Sequence, residues 1–271
     1  MRCYDVVRKL QDRRDIAWSE RANSSGTAGT YLKARTGIGA RAQYLKLPRY
    51  NGVRFDGSEC INEVVASRLM RLFGIEHVDY RLIHALVQVD GVEHEVWLNA
   101  SKNFRAPGER KMALGTYYEL HSQAGESPWA FCERNGWGER IAQMMLVDYL
   151  IANRDRHGSN IEVIASRDGT VRLAPIFDSG LSLLAPYGED KERIAAFDPL
   201  SPVMTTNFVG ERSLEENVRR VAPVAIARPL DCTDRETLIA GLEDAASEVL
   251  LDAIWNVIWS RWCWYERLCS A

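Results

Sequence analysis

The most informative part of this chain reads Asn153-Arg154-Asp155-Arg156-His157-Gly158-Ser159-Asn160, and it is followed further along by Phe177-Asp178-Ser179-Gly180. An almost wholly apolar segment, residues 141–151, leads into the first of these and has the length and continuity of a buried helix. We therefore expect the hydrophobic core to anchor Asp155 while a loop presents its carboxylate. A carboxylate held in this way can orient the hydroxyl group of a substrate.

A short hairpin is predicted between the two segments. Residues 161–174 contain two apolar runs separated by Asp168-Gly169, which is a typical two-residue turn. The return strand would bring Asp178 close to Asn160. A carboxylate and a carboxamide oxygen are hard ligands of the kind that Mg²⁺ bound to nucleotide phosphates prefers. The sequence therefore predicts that Asn160 and Asp178 hold magnesium. Asp155 has the separate task of orienting the hydroxyl.

The order of these groups resembles that of protein-kinase-like folds, in which Asp-x-x-x-x-Asn is followed by a hairpin and Asp-x-Gly. The form Asp155-Arg156-His157-x-x-Asn160 resembles the HipA-like bacterial serine/threonine kinases, and it is also similar to the phosphoinositide kinases, which are much larger. The resemblance covers roughly residues 19–182. It implies that the protein transfers the γ-phosphate of ATP to a serine or threonine hydroxyl and uses Mg²⁺ as its metal cofactor.

His157 has two interpretations in this loop. As a structural residue it would hold the loop through its ring nitrogens, and as a catalytic residue it would accept a proton or contact phosphate. We place it beside Asp155 as a candidate catalytic residue, and both interpretations stay open.

A loop of small residues precedes the strand expected at residues 31–34, and it is suited to phosphate binding. Its candidate nucleotide-binding residues are Ser24, Ser25, Gly26, Thr27, Ala28 and Gly29. Glycines let backbone N–H groups approach phosphate oxygens closely, and Ser and Thr hydroxyls add donors. The two glycines stand 20 and 17 residues before Lys46, which leaves room for a strand, a turn and a strand. We therefore expect the loop to cover the nucleotide while Lys46 reaches its phosphates from below; the alternative is a plain flexible turn.

The helix that follows is predicted to begin after Ser58 and to end at Gly74, because both residue types are typical of helix ends. Glu59 and Glu63 are four residues apart on one face of this helix, so either can pair with Lys46 and hold its ammonium group toward the phosphates. HipA-like kinases have an Asn-Glu pair at this place, and the Asn-Glu that ends in Glu63 resembles it. The resemblance therefore indicates Glu63 as the partner of Lys46. The alternative is that Glu59 and Glu63 are both solvated surface carboxylates that pair with no lysine.

Self-modification is a further implication of the resemblance. Ser24 and Ser25 stand directly before the first loop glycine, and HipA-like kinases autophosphorylate a serine in this loop. A phosphate here would carry about two negative charges, would repel the phosphates of ATP and would drive the loop out of the cleft.

The composition is that of an ordinary soluble globular protein. With 271 residues, of which 46% are hydrophobic and 26% charged, the chain is long enough to form two lobes around a cleft. A net charge of -3 without a concentrated Lys/Arg face argues against nucleic acid as a direct partner. No apolar run suits a signal peptide or membrane insertion, so we expect a cytoplasmic protein. The scattered cysteines lack Cys-x-x-Cys pairs, which argues against a zinc site or a disulfide framework.

The order of the predicted elements, with strands first and helices later, indicates an α+β protein. We predict a two-lobed protein-kinase-like fold, with a small β-rich N-terminal lobe that contains one main helix, residues 1–104, and a larger helical C-terminal lobe, residues 105–271. Residues 181–207 combine Pro, Gly and mixed charge without a sustained period, so we expect a mobile or substrate-facing segment there. Residues 233–268 are predicted to be helical, with a tryptophan stripe that packs in the core.

The identity of the acceptor is left open by the sequence. A protein substrate follows from the resemblance, but a kinase that acts on a small molecule or a lipid headgroup would use the same residues. A pseudokinase that binds nucleotide and works as an interaction module is a third interpretation. HipA-like kinases also have an antitoxin-type partner. Only about twenty residues precede the glycine loop here, so we expect the family's extra N-terminal subdomain to be missing, and the sequence does not support such a partner.

Overall fold

The structure is a computed structural model that describes residues 5–21, 28–38, 41–188 and 190–270. The strands in these ranges are β1 (Val6–Arg13), β2 (Ser19–Arg21), β3 (Ala28–Thr36), β4 (Gln43–Lys46), β5 (Tyr80–Val89), β6 (Val92–Lys102), β7 (Arg110–Ala113), β8 (Glu162–Ala165) and β9 (Val171–Leu173). The α-helices are α1 (Glu59–Leu72), α2 (Leu114–His121), α3 (Pro128–Arg134), α4 (Gly138–Leu150), α5 (Lys191–Ala195), α6 (Leu214–Val221), α7 (Asp234–Ile239) and α8 (Glu248–Ser270). None of the helices in these ranges is both long and apolar enough to cross a membrane. The sheet-rich N-terminal region and the helices after it confirm the predicted α+β fold class.

A six-stranded sheet forms the N-terminal region, in the strand order β1-β5-β6-β4-β3-β2. β1 pairs with β5 in parallel, and the other neighbours are antiparallel. Because successive side chains of a strand point to opposite faces, Leu45 and Leu47 join an apolar cluster on one face while Lys46 points to the other. The ammonium group of Lys46 is thereby directed toward α1 and toward the second part of the chain.

α1 packs between this sheet and the helical region. Its residues from Glu59 through Met70 are all buried, as expected for a helix that is covered on every side. Gly74 follows the end of α1 with a φ of +68°, the left-handed conformation that favours glycine at this position, as predicted. Ser58 occupies the N-cap position of α1, as predicted, but its side chain makes no capping hydrogen bond.

The second sheet is three-stranded, in the order β7-β8-β9. The chain leaves α4 at Leu150, passes through residues 153–160, and forms the β8–β9 hairpin that ends shortly before Asp178. α4 lies in the main hydrophobic core, together with residues of α1 and α8. The predicted hairpin is therefore present, and it returns the chain to the loop that precedes it.

Three features of the fold differ from the expectation. The sequence does not indicate β1, β2 or β7, because these strands are short or largely charged and owe their conformation to pairing with neighbours. The helix expected for residues 233–268 is two helices, α7 and α8, separated by residues 240–247. The tryptophan stripe is only partly core, since Trp262 is buried whereas Trp255 and Trp259 stack on each other and are half-buried.

Candidate active site

Lys46 on β4 is the charged centre of the site, and two carboxylates from distant parts of the chain surround its ammonium group. Its Nζ lies 2.8 Å from Oδ1 of Asp178 and 3.4 Å from Oε1 of Glu63. The Glu63 side chain is 1% exposed and that of Lys46 is 13% exposed. The ring centroid of Tyr31, on β3, lies 4.8 Å from the same nitrogen. Lys46 thus joins β3 and α1 to residues 178–180, which we call the Asp-Ser-Gly segment.

The ionisation of these three groups is interdependent. Burial alone would lower the pKa of Lys46, but the charges of Asp178 and Glu63 raise it well above its ordinary value. Burial would raise the pKa of the Asp178 carboxyl, but Lys46 and then Lys33 hold it well below its usual range. Burial raises the pKa of Glu63 to about 7, although the charge of Lys46 opposes this shift. Lys46 and Asp178 therefore form the firmly ionised pair, and Glu63 is the weaker partner.

Glu59, the alternative partner of Lys46, is engaged elsewhere. Its Oε1 accepts a hydrogen bond from the hydroxyl of Tyr31 at 3.2 Å, and its Oε2 accepts one from the backbone N–H of Arg49 at 3.1 Å. Glu63 is therefore the carboxylate of α1 that contacts the lysine.

α1 also holds the backbone of the Asp-Ser-Gly segment. Oε2 of Glu63 accepts a hydrogen bond from the N–H of Ser179 at 2.9 Å. The side-chain amide of Asn62 donates to the carbonyl oxygens of Gly180 and Ser182, at 3.0 and 2.9 Å. The Asn-Glu pair of α1 thus fixes the segment that carries the aspartate, in addition to contacting the lysine.

The Asp-Ser-Gly segment has a constrained conformation. Asp178 has a φ of +56°, a left-handed conformation that costs a non-glycine residue roughly 1 kcal/mol or more. Its N–H donates to the hydroxyl oxygen of Tyr80 at 3.2 Å. A Cβ atom at Gly180 would lie 3.2 Å from Cβ of Glu59 and 3.4 Å from Nζ of Lys46, so a side chain here would crowd α1 and the lysine. Strain of this kind persists where surrounding contacts fix it, as is typical of functional sites.

The loop of residues 153–160, here called the Asp-Arg-His loop, presents Asp155. The backbone N–H of Asp155 donates to Oδ1 of Asn153 at 3.1 Å. The amide nitrogen of Asn160 donates to the carbonyl oxygen of Asp155 at 2.9 Å and to its Oδ2 at 3.3 Å. Because the amide nitrogen faces Asp155, the amide oxygen of Asn160 is turned away from that carboxylate. Two of the predicted site residues of this loop, Asp155 and Asn160, are thereby joined directly.

Two residues that sequence reasoning missed, Arg156 and Asp148, support the loop from inside the core. Both side chains are fully buried, and Nε and Nη2 of Arg156 donate to the two carboxylate oxygens of Asp148 at 2.9 and 2.8 Å. Nη1 donates to the carbonyl oxygens of Asn160 and Phe177, at 3.2 and 2.7 Å. One guanidinium group therefore ties the Asp-Arg-His loop and the residue before the Asp-Ser-Gly segment to α4. A signal existed in the sequence, since Asp148 is the one acidic residue of the apolar run before the loop, and a charge buried there needs a partner.

His157 takes part in the structure of the loop, as the first of its two interpretations expects, and its catalytic role stays a prediction. Its Nδ1 accepts a hydrogen bond from the backbone N–H of Ser159 at 3.2 Å, which stabilises the loop. Its Nε2 lies 3.5 Å from Oδ1 of Asp155, and the side chain is 37% exposed. With Nδ1 acting as an acceptor, the ring proton of the neutral imidazole is on Nε2 and faces the carboxylate. The ring therefore stabilises the loop and lies beside the carboxylate without a hydrogen bond to it.

Asn160 and Asp178 supply oxygen donors that fit magnesium. Oδ2 of Asp178 and the amide oxygen of Asn160 accept no hydrogen bond from any residue that the structure describes, and the Asp178 side chain is 29% exposed. Within the same residues, no group of three or more His, Cys, Asp or Glu side chains could hold a metal ion. A magnesium ion at these two residues would therefore need further ligands such as phosphate oxygens and water, which is how Mg²⁺ is usually bound beside nucleotides.

The predicted nucleotide loop is described only at its end. Ser24, Ser25, Gly26 and Thr27 lie outside the described residues. Ala28 and Gly29 are the first two residues of β3, so this strand begins earlier than residue 31, where the sequence predicts it. Since β3 pairs with β4, the chain passes from this loop into the strand beside Lys46. Six of the predicted site residues form two groups that Arg156 links through the carbonyl oxygens of Asn160 and Phe177. The groups are Lys46 with Glu63 and Asp178, and Asp155 with His157 and Asn160. The catalytic and binding roles of these residues stay predictions.

No protein-family model and no curated protein matches this sequence. Among solved structures, the chain is similar to the proinflammatory kinase CtkA of Helicobacter pylori, with a TM-score of 0.65, 14% sequence identity and 96% of each chain covered. Similarity is lower to HipA of Shewanella oneidensis, solved with HipB and operator DNA (TM-score 0.46, 15% identity, 93% of this chain and 68% of that one). It is lower again to a Neurospora crassa PAN3 pseudokinase mutant (TM-score 0.35, 14% identity, 89% and 57%). The match to CtkA over nearly the whole of both chains confirms the predicted kinase-like fold.

Proposed function

We propose that this protein is an ATP-dependent serine/threonine kinase that uses Mg²⁺ to transfer the γ-phosphate of ATP to a hydroxyl group. The observation that carries the proposal is the convergence of Lys46 with Glu63 and Asp178, next to a loop in which Asn160 is hydrogen-bonded to Asp155. Phosphoryl transfer depends on positioned cations around the phosphates and on an oriented acceptor, and these residues supply both. The fold shared with a kinase supports the same reading.

Each residue has a separate task in this proposal. Lys46 neutralises phosphate charge, and Glu63 holds its ammonium group in place. Asp178 and Asn160 would hold magnesium, which neutralises phosphate charge when it is bound. Asp155 orients the acceptor hydroxyl and receives its proton, with His157 against the carboxylate.

The acceptor in this proposal is a protein hydroxyl, and the protein's own Ser24 or Ser25 is one candidate. A direct test is to incubate the purified protein with ATP and magnesium and to measure its intact mass, followed by mapping of phosphopeptides. We expect a mass increase of one phosphate or more, and its absence in an Asp155→Asn variant. Phosphate at Ser24 or Ser25 would support self-modification of the loop, whereas phosphate confined to other positions would argue against it.

The same assay separates the rival interpretations. A protein that binds Mg-ATP but phosphorylates neither itself nor an added protein acceptor would contradict the protein-kinase proposal. Transfer to a lipid headgroup or small hydroxyl compound would then indicate a kinase of that class. ATP binding without transfer to any acceptor would indicate a nucleotide-binding interaction module.

A further inference from the structure

Lys33 lies directly opposite Lys46 in the six-stranded sheet. The two residues are Cα partners in the antiparallel pair of β3 and β4, so their side chains leave the same face of the sheet. Directly opposed side chains in such a pair have Cβ atoms only about 5 Å apart, and like charges there destabilise the sheet. The fold therefore brings two cations together at a cost.

The surroundings of Lys33 identify the space that it faces. The charges that act most strongly on it are those of Asp178, Lys46, Glu63 and Lys111. These residues belong to the Asp-Ser-Gly segment, β4, α1 and β7. Burial is the main cause of a lowered pKa at Lys33, and its side chain is partly buried. Lys33 therefore points into the active-site cleft and not into bulk solvent.

The anionic groups near Lys33 are already paired with other cations. Asp178 and Glu63 both contact Lys46. Lys111 lies 2.6 Å from a carboxylate oxygen of Glu162. The backbone of Lys33 pairs with β2 and β4, and the charge of Asp178 acts on its ammonium group, but that group makes no direct hydrogen bond or ion pair with any residue in the described ranges of the chain. A partly buried ammonium group without a partner is unfavourable in the free protein, and an anion bound in the cleft would remove that cost.

We infer that Lys33 is a second phosphate-binding residue, which contacts the polyphosphate of the nucleotide beside Lys46. This inference rests on the proposed function, because it takes the anion to be ATP. A polyphosphate has enough charge to neutralise two adjacent lysines, and Asp178 would lose part of its hold on Lys46 when it binds a metal. Lys33 also follows Ala28 and Gly29 on the same strand, so the predicted phosphate loop leads directly to it.

The test compares nucleotide binding by the wild type, Lys33→Met and Lys33→Arg, measured by calorimetric titration with ATP, ADP, AMP and adenosine in the presence of magnesium. Methionine matches the length of the aliphatic part of the lysine side chain and removes the charged ammonium group. We expect Lys33→Met to bind ATP about tenfold more weakly, the loss of one charged hydrogen bond, while adenosine binding is unchanged. Lys33→Arg keeps the charge and should retain most of the ATP affinity. A matched control is Lys9→Met, at an exposed position of β1 in the same sheet, which should bind all four ligands like the wild type.

Thermal denaturation without nucleotide adds a readout that does not depend on activity. Removal of one of two opposed cations should leave the melting temperature of Lys33→Met equal to that of the wild type or higher. A lower melting temperature together with weaker adenosine binding would mean that Lys33 is structural, and it would overturn the inference.

The remaining outcomes distinguish this inference from the proposed function. If the wild type binds ATP and Lys33→Met binds it equally well, Lys33 does not contact the phosphates and the proposed kinase activity is unaffected. If the wild type binds no ATP in the presence of magnesium, the proposed function and the role of Lys33 both fail.

Discussion

The hydroxyl of Thr206 donates a hydrogen bond to Oδ1 of Asp155 across 3.1 Å. The backbone of the same residue is paired with the Asp-Arg-His loop, since its N–H donates to the carbonyl oxygen of Arg154 at 3.0 Å. Thr206 lies near the end of residues 181–207, which the sequence predicts to be a mobile or substrate-facing segment. In the proposed reaction it therefore contacts the carboxylate that orients the acceptor hydroxyl.

The first prediction concerns Thr206. Replacement by valine keeps the shape of the side chain and removes the donor, so the Asp155 carboxylate loses one of the contacts that fix its orientation. We expect phosphate transfer by Thr206→Val to fall roughly two- to tenfold, the effect of one solvent-exposed hydrogen bond, with ATP affinity unchanged. Thr206→Ser keeps the hydroxyl and should stay close to the wild type. Faster transfer by Thr206→Val would mean instead that Thr206 competes with the acceptor.

The second prediction separates the two aspartates. Asp155→Asn removes the carboxylate that receives the hydroxyl proton, so transfer should fall by ~10² to 10⁴ while Mg-ATP affinity changes little. Asp178→Ala removes a charged magnesium ligand, so both affinity and transfer should fall, and excess magnesium should restore part of the binding. Titration of Mg-ATP and a transfer assay on both variants provide the measurement. If Asp155→Asn loses nucleotide as severely as Asp178→Ala, the proposed division of tasks is wrong.

The third prediction tests the two carboxylates of α1. Glu63→Gln removes a charge that contacts Lys46, so Mg-ATP affinity should weaken roughly three- to tenfold. Glu59→Gln is the matched control, because Glu59 contacts Tyr31 and the backbone of Arg49. Its affinity for Mg-ATP should stay near that of the wild type. The reverse ranking of the two variants would assign the lysine-holding role to Glu59.

The fourth prediction concerns stability. Arg156→Met leaves Asp148 buried without its cationic partner, so the free energy of unfolding should fall by about 3 kcal/mol. Chemical denaturation monitored by tryptophan fluorescence measures this change. Arg219→Met is the control, since it breaks an exposed pair with Glu215 that contributes less than about 1 kcal/mol. An equal loss of unfolding free energy in the two variants would show that the buried pair contributes no more to stability than the exposed pair.

Much of the fold and part of the site could be predicted because they depend on residues that are close in sequence. The Asp-Arg-His loop follows an apolar helix, a two-residue turn defines the hairpin after it, and a glycine ends α1. Spacing of this kind acts through local backbone geometry, which the residue types set directly. Ser58 takes the predicted N-cap position but makes no side-chain cap, because its φ of -95° and ψ of 8° are not the extended conformation typical of a capping residue.

The contacts that complete the site required the tertiary structure. Asn62 reaches the carbonyl oxygen of Gly180 across 118 positions of sequence, and Thr206 reaches Asp155 across 51. Lys33 stands opposite Lys46 only because of the register between β3 and β4. Local patterns specify helices, turns and alternating faces, whereas packing specifies which charges share one cleft. The energy of a pair of charges depends on their distance in space and on their burial, and neither quantity follows from their separation along the chain.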